Sequence, residues 1–405
     1  MPASTYRSVF KDEVKLDINY VPRRLIHREA EIRLLAEFFN FLLTTPEKMA
    51  QRVLIVGDVG TGKTALSQRF GIDLAQQARQ RGINLHYVHV NCRQYRGSLF
   101  LILHHTVSVF HPNFPKRGFS AEELLNIFLQ VLDENNAYVL LTLDEFESLI
   151  EREGSEAVYK LTRLQETRLG KPQRVSLIGV LKSLNAIDCL DASTRSTLQS
   201  NIVRLEKYSK EQLTDIVNER VQLAFKPSTV PEETVDLIAE LAYSEGGNAR
   251  FAIELLWRAG KYADTEDLGV VVTPECVRRA VSSIFAITRK SDVATLSLHE
   301  KLLLLGIARF FKENMDRAYA SLTEAEKAYA VVCEEFNVQP HTHTQLWKYL
   351  QTFSALGIVK KSVSTAGQRG RATLIYLPGA SAYELERELS SILEREKISG
   401  NRAAQ

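Results

Sequence analysis

One stretch constrains this chain more than any other: VLIVGDVGTGKTALSQRF, Val53 to Phe70. Four apolar residues, Val53 to Val56, read as a buried strand, and Ala65 onward has helical character. Between them, Gly57 to Thr64 fit the spacing G-x-x-x-x-G-K-[ST], a phosphate-binding loop. Glycines let such a loop wrap tightly, so that backbone N–H groups from Val59 through Gly60, Thr61, Gly62, Lys63 and Thr64 to Ala65 face phosphate oxygens. The following helix adds the partial positive charge of its N-terminus. Lys63 is placed to reach the outer phosphates and Thr64 to ligate Mg²⁺. A strand before and a helix after separate this pattern from a chance glycine turn, so ATP or ADP with Mg²⁺ is the expected cofactor.

The remaining strand signals fit around that loop. NLHYVHV (Asn84 to Val90) alternates, AYVLLTLDEFE is a longer buried strand ending in acids, and RVSLIGVL (Arg174 to Leu181) is another. Strands alternating with helices predict a parallel α/β sheet covered on both faces. Asp144 and Glu145 fall at the C-terminal edge of their strand, where open α/β sheets bind ligands. Asp144 is the expected Mg²⁺ ligand and Glu145 the group that polarises an attacking water. After about Leu205 the strand signals stop, and three helices with cap-like starts follow. From about Leu296 come further helices and two short β-prone runs, GIVKKSVST and ATLIYLP. The tail beyond about Lys397 is expected to fray.

Composition adds exclusions. Four scattered cysteines form no C-x-x-C pair, which suggests neither zinc nor a disulfide framework. No apolar run is long enough to span a bilayer, so no membrane partner is expected and a cytoplasmic, nucleoid-associated location fits. The net charge of +2 carries no message, but its distribution does. No Asp or Glu occurs from Leu74 to Ala121 or from Phe336 to Tyr383, although both stretches carry lysines and arginines. Local cationic faces of this kind are the footprint of phosphate-backbone partners, with ordinary solvated surface as the alternative. Five histidines lie between His86 and His111, but adjacent His104 and His105 diverge on a helix and no acid lies near in sequence, so a metal site is not expected there.

The adjacent Asp-Glu followed by a helical domain resembles the AAA+ class of ATPases. In that class a helical lid offers an arginine at a helix start to the nucleotide, and GGNAR puts Arg250 at that place. The resemblance sharpens along nearly the whole chain. VFKDEVKLDINYVPRRLIHREAEI, HVNCR with a helical insert after it, GFSAEELLNIFLQVLD, LDEFESL, YSKEQLTDIVNER, EGGNARFAIELLWRAGKYA and VTPECVRRAV follow one another as in the archaeal origin-recognition and cell-division-control initiator proteins. The resemblance implies that Val21, Pro22 and Leu25 line an adenine pocket and that Tyr208 and Arg220 contact the nucleotide. Read from the residues alone, Tyr208 and Arg220 are equally a core tyrosine and a solvated arginine. It also implies three domains: a nucleotide-binding base over 1–205, a helical lid over 206–288 and a winged helix over 289–397.

Two positions depart from the family pattern. Where the strand SLIGVL should end in a polar sensor, usually asparagine, stands Lys182, and Ser193 occupies the place of an arginine that reaches a neighbouring subunit's ATP. A lysine cannot both donate and accept hydrogen bonds as an amide does. Loss of water-positioning and charge-stabilising groups costs orders of magnitude in turnover. Tight nucleotide binding with slow hydrolysis is therefore expected, a switch more than a motor.

HTHTQLWKYLQTFSALGIVKKSVSTAGQRGRATLIYLP reads as helix, strand, turn, strand: a winged helix. Leu346, Leu350, Phe353 and Leu356 are expected in its core, leaving Thr342, His343, Thr344, Gln345, Lys348 and Tyr349 partly outward. Thr344 and Gln345 suit base edges and Lys348 suits phosphates, while the turn carries Arg369 and Arg371 toward a minor groove or a phosphate. Winged helices also dock proteins, and that alternative stands on the residues alone. In the resembled family the insert before the acidic strand meets DNA as well, which nominates Arg93, Arg96, Lys116 and Arg117. The resemblance thus implies an initiator that binds origin duplex DNA, with a replicative helicase and paralogous initiators as further partners. The rivals are a signalling ATPase with a regulatory winged helix and a brisk clamp-loader-type ATPase. The first usually carries G-x-P in its lid, and none occurs between Tyr208 and Ile287; the S-R-C tripeptide of the second is also missing.

Overall fold

The computed structural model describes residues 8–164, 170–265, 271–285, 293, 295–363, 373–378 and 381–403. They form two units. One comprises residues 19–209 and 246–250, the other residues up to 18, 210–245 and 251 onward.

The first unit is built on five parallel strands: β1 (Arg52–Gly57), β2 (Leu85–Asn91), β3 (Tyr138–Asp144), β4 (Val175–Leu181) and β5 (Ile202–Leu205). Their order in the sheet is β2-β3-β4-β1-β5, so the chain crosses over after each strand. Successive side chains of a strand point to opposite faces. Leu54 and Val56 accordingly join the core beneath the helices Leu99–Phe110, Ala121–Glu134 and Glu147–Thr162. Val53 and Ile55 join the core under Glu29–Phe39 and Lys63–Gln80. Covered on both sides, β3 and β4 are buried along their whole length, as expected of a parallel sheet. Ser120 and Glu123 cap the second insert helix reciprocally, with the Glu123 N–H 3.1 Å from the serine Oγ.

The second unit joins helices Lys210–Ala224, Glu232–Ser244, the part of Ala249–Thr265 from Phe251 onward, and Pro274–Phe285 to a carboxy-terminal winged helix. Its N-terminal strand of chain is held there too: Lys11 N–H donates to the Ala224 carbonyl at 2.7 Å, and Phe10 packs on Phe225. In the winged helix, Leu298–Glu313, Leu322–Glu335 and His343–Ala355 surround one core with the antiparallel strands β6 (Ala320–Ser321), β7 (Lys360–Val363) and β8 (Thr373–Tyr376), ordered β6-β8-β7. Leu346, Leu350 and Phe353 are fully buried in it. Leu356 corrects the sequence expectation: it is 38 % exposed. The helix stops there because Gly357 turns left-handed (φ +67°) and the Ile358 N–H bonds back to the Phe353 carbonyl, so Ile358 takes the core position instead. The last helix also runs through Ala382–Ala403, past Lys397 where fraying was expected.

A buried ion pair within the helix Pro274–Phe285 touches the winged helix through both of its members. Arg278 Nη1 donates to Glu275 Oε2 at 3.1 Å, and its guanidinium lies 4.2 Å over the Phe311 ring. The Ser381 hydroxyl and Ala382 N–H donate to the other Glu275 oxygen at 2.8 and 3.1 Å. Among the described residues, no helix is long and apolar enough to cross a membrane.

Candidate nucleotide and nucleic-acid sites

The glycine loop connects β1 to the helix Lys63–Gln80, with Gly60 and Gly62 at φ +83° and +87°. Both glycines are required by close neighbours as well as by conformation. A Cβ on Gly60 would lie 2.0 Å from Asn248 Oδ1, and one on Gly62 would sit 3.0 Å from the Tyr208 hydroxyl. Lys63 curls over the loop, donating to the carbonyls of Gly57 (2.6 Å) and Asp58 (2.7 Å). Burial pulls its pKa below the usual lysine value, against the opposing pull of Asp144, Glu147 and Asp58. A desolvated ammonium inside a loop of backbone donors fits a phosphate. The nucleotide is thereby matched by the chemistry of the donors present.

Thr64 and Asp144, eighty positions apart in the chain, meet at the sheet edge: the threonine Oγ1 donates to Asp144 Oδ2 at 2.7 Å. Glu145 N–H donates to the other oxygen at 2.9 Å, and His89 Nε2 lies 3.4 Å from Oδ2. Burial works to raise the Asp144 carboxyl, but the nearby His89 ring and the Thr64 hydroxyl outweigh it and hold the group below the usual carboxylate range. It is therefore an anion beside a hydroxyl, a donor set that suits Mg²⁺. Glu145 has φ +49°, an uncommon backbone state for a non-glycine residue and one that clusters at functional sites. Lys182, just past the end of β4, has its Nζ 3.6 Å from Glu147 Oε1. Ser193 accepts a hydrogen bond from Arg163 at 2.8 Å.

The other expected nucleotide contacts are placed unevenly. Thr61 is buried and Val59 is 53 % exposed, while Ala65 is half-buried. Pro22 is buried, with Val21 and Leu25 half-buried, and Leu25 packs on the core of the Lys63–Gln80 face. Tyr208 is buried, and burial raises its hydroxyl above the usual tyrosine value although Arg28 opposes this. Arg250 is exposed, next to Ala249, whose N–H donates to the Gly60 carbonyl at 3.2 Å. Arg220 lies in the other unit, buried, and donates to the Lys15 carbonyl at 3.2 Å.

Two residues of this neighbourhood escaped the sequence reading. Arg28 is buried; it donates to the carbonyls of Thr61 (2.9 Å) and Glu206 (2.8 Å) and lies 4.0 Å over the Tyr208 ring. Asn248 is the residue that closes on Gly60. Both sit inside stretches that carried the family resemblance, yet nothing in their spacing marks an arginine as buried.

On the candidate DNA surfaces, Arg93, Arg96, Lys116 and Arg117 are all exposed. Beside them Phe100, His104, Phe114 and Phe119 form a chain of ring contacts, with centroids 6.2, 5.8 and 5.1 Å apart. His104 Nε2 lies 3.2 Å from the Pro115 carbonyl, which ties the helix Leu99–Phe110 to the loop carrying Lys116 and Arg117. In the winged helix, Thr342, His343, Thr344 and Lys348 are exposed and Gln345 is half-buried. His343 is less purely cationic in its setting than the acid-free sequence suggests, because Glu326 of the preceding helix approaches its Nδ1 to 3.1 Å. Tyr349 turns inward to His341, 2.7 Å away. Trp347 was missed: it is 38 % exposed on the same face, with Lys361 Nζ 4.9 Å from its ring. Its position one turn after His343 was the signal. Arg369 and Arg371 lie outside the described residues.

Comparison with known proteins matches three parts of the chain. Residues 47–187 match the AAA domain, residues 214–282 the Cdc6 AAA+ ATPase-type lid domain, and residues 291–382 the CDC6 C-terminal winged helix domain. The ORC1-type DNA replication protein 2 of Sulfurisphaera tokodaii is 32% identical over 387 residues, 94% of this chain and 92% of that one. The crystal structure of Cdc6p from Pyrobaculum aerophilum superposes with a TM-score of 0.82 at 27% identity, covering 96% of this chain and all of that one (100%). The Aeropyrum pernix ORC1 protein, in a structure of its complex with DNA, superposes with a TM-score of 0.62 at 29% identity, covering 95% and 98% of the two chains.

Proposed function

Because this chain belongs to the family of archaeal ORC1-type DNA replication proteins, we propose that it is an ATP-binding initiator that recognises origin duplex DNA with two elements. One is the winged helix, the other the insert carrying Arg93, Arg96, Lys116 and Arg117. The observation that carries the reading is the division of the helix His343–Ala355: Leu346, Leu350 and Phe353 anchor it, while His343, Thr344, Trp347 and Lys348 remain exposed on its other side. A helix anchored on one side and polar, aromatic and cationic on the other suits insertion into a major groove. In this reading Thr344 and Gln345 address base edges, and Lys348 and the insert cations address phosphates.

Nucleotide binding sets the state of the base domain. Thr64 and Asp144 are the residues that would hold Mg²⁺, which supplies charge neutralisation between phosphates when bound. Lys63 neutralises the outer phosphates, the loop N–H groups orient them, and Glu145 stands where an attacking water needs a base. Arg28 fixes the loop from behind through the Thr61 carbonyl. Tyr208, Arg220 and Arg250 keep the contacts that the family resemblance assigns them, as do Val21, Pro22 and Leu25 around adenine. The division into a base over 1–205, a lid over 206–288 and a winged helix over 289–397 belongs to the same proposal. So do slow hydrolysis, helicase and paralogue partners, and a place on the nucleoid.

A filter-binding titration on origin duplex across a salt series tests the reading. The initiator predicts a steep fall of affinity with salt and tighter binding to origin than to unrelated duplex. Affinity that ignores both salt and sequence would refute it.

A further inference from the structure

The first insert helix, Leu99–Phe110, begins without the usual help from its own residues. Its N-cap, Ser98, makes no side-chain cap bond, and its first turn carries no acid, because the stretch from Leu74 to Ala121 contains none. A helix start of this kind leaves backbone N–H groups and a partial positive charge to be answered from elsewhere. Glu153 supplies both an acceptor and a negative charge: its Oε1 accepts from the Leu99 N–H at 3.2 Å. Arg152 beside it donates through Nη1 to the Arg96 carbonyl at 2.7 Å. Both come from the helix Glu147–Thr162, which breaks at Gly154 (φ +67°, ψ −160°) directly after them. The loop they hold is tight. Arg96 and Gly97 are both left-handed, at φ +54° and +64°, and a Cβ on Gly97 would lie 2.1 Å from the Ser148 carbonyl oxygen of that same helix. A left-handed arginine is uncommon and persists only where its surroundings hold it.

We propose that Glu153 is a positioning residue for duplex binding: by capping the insert helix from the helix Glu147–Thr162, it fixes where Arg93, Arg96 and the cations beyond the far end of the insert helix meet the phosphate backbone. The inference rests on the reading of the insert as a DNA-binding element. Phosphate contacts set register and orientation, so the cations that make them must themselves be held in place. A segment that faces a polyanion does best without carboxylates of its own, since each would repel the phosphates. Its leading helix still requires an anion at the N-terminus, and a carboxylate borrowed from another helix provides it with a side chain that is only 31% exposed. The insert thus stays acid-free in sequence and capped in structure. Arg152 completes the clamp, since the carbonyl it holds belongs to Arg96, one of the candidate phosphate contacts.

Titration of the full chain with a mixed-sequence duplex across a salt series tests this. Glu153→Ala removes the cap together with a negative charge. Loss of the charge alone would tighten duplex binding. The positioning role predicts the opposite, binding about fivefold weaker with a lower slope of log affinity against log salt. Glu153→Gln removes the same charge but keeps an oxygen that accepts from the Leu99 N–H, so it is expected to bind at least as tightly as the wild type. A second background separates positioning from a general loss of stability. In a chain carrying Arg93→Ala and Arg96→Ala, the effect of Glu153→Ala should shrink to within about twofold, whereas beside Lys348→Ala, in the winged helix, it should persist in full. ATP affinity reports folding; if Glu153→Ala lost it, Glu153→Ser, too short to cap, would carry the same comparison. Duplex binding by Glu153→Ala at or above the wild-type level, or an equal loss in both backgrounds, would overturn the inference, and the insert reading would stand as long as Arg93→Ala with Arg96→Ala weakened binding. Unchanged affinity and slope in that double variant would overturn both.

Discussion

Thr64 Oγ1 donates to Asp144 Oδ2 at 2.7 Å, bringing the last residue of the glycine loop onto the acidic end of β3. The contact is long-range in sequence and brings together the two residues proposed above to hold Mg²⁺. Asp144→Asn retains the shape and removes the charge. We expect it to abolish most of the Mg²⁺-dependent gain in nucleotide affinity, about 1.5–3 kcal/mol, while affinity measured in EDTA changes little. Equal losses with and without the ion would show that Asp144 only shapes the loop.

Turnover should be slow. With Lys182 at the end of β4 and Ser193 in place of an arginine, the purified chain is expected to hydrolyse ATP at no more than about one per minute. Lys182→Asn supplies an amide that can donate and accept, and a rise in turnover is expected from it in a phosphate-release assay. A wild-type rate far above that ceiling would contradict the reading.

Duplex binding should respond to single cations in a countable way. Lys348→Ala is expected to lower the slope of log affinity against log salt by about one, and Lys116→Ala with Arg117→Ala by about two. Trp347→Ala removes an exposed ring and no charge, so it should weaken binding with the slope unchanged. Slopes that stay put in the cation variants would remove those surfaces from the interface.

The Glu275–Arg278 pair makes a sharp stability prediction because both side chains are buried. Arg278→Met leaves the buried Glu275 carboxylate with Ser381 and Ala382 as donors and Arg279, 3.9 Å away, as a weaker cationic partner, and should destabilise the winged-helix unit by about 3 kcal/mol. Glu275→Gln combined with Arg278→Met removes the under-compensated charge and should recover most of that loss. Thermal melts of the two variants separate a charge effect from a packing effect, since packing loss alone would leave the double variant as unstable as the single one.

Acid should weaken the winged helix through His299. Burial, and then the neighbouring His341, hold its pKa below the usual imidazole value. Its Nδ1 meets the Tyr329 hydroxyl at 2.7 Å, and its ring stacks on His341 at 3.6 Å. A base whose folded pKa is depressed binds its proton more readily when unfolded. Its contribution is therefore complete above about pH 6.5 and declines as pH falls toward the folded value. His299→Gln should flatten that part of the stability profile, measured as melting temperature against pH.

Local signals were the legible ones. Gly57 to Thr64 could be read directly because a phosphate loop needs glycine conformations, a lysine and a hydroxyl within eight residues. The apolar runs of β1 and β3 and the alternation through β2 were equally legible, since such strand patterns are a property of neighbours in sequence. Leu346, Leu350 and Phe353 announced the buried side of their helix by the same logic. Leu356 did not, because the helix ended at a glycine turn and the periodicity ended with it. Arg28 beneath Tyr208, Asn248 against Gly60, Glu326 facing His343 and Glu147 beside Lys182 were decided by the tertiary structure alone. Each depends on which distant residue approaches a charge or a glycine, and burial then fixes its protonation and partners. The chain's linear pattern therefore determined the kind of ligand, and the packing of separated segments decided how the site is supported and which charges remain to meet it.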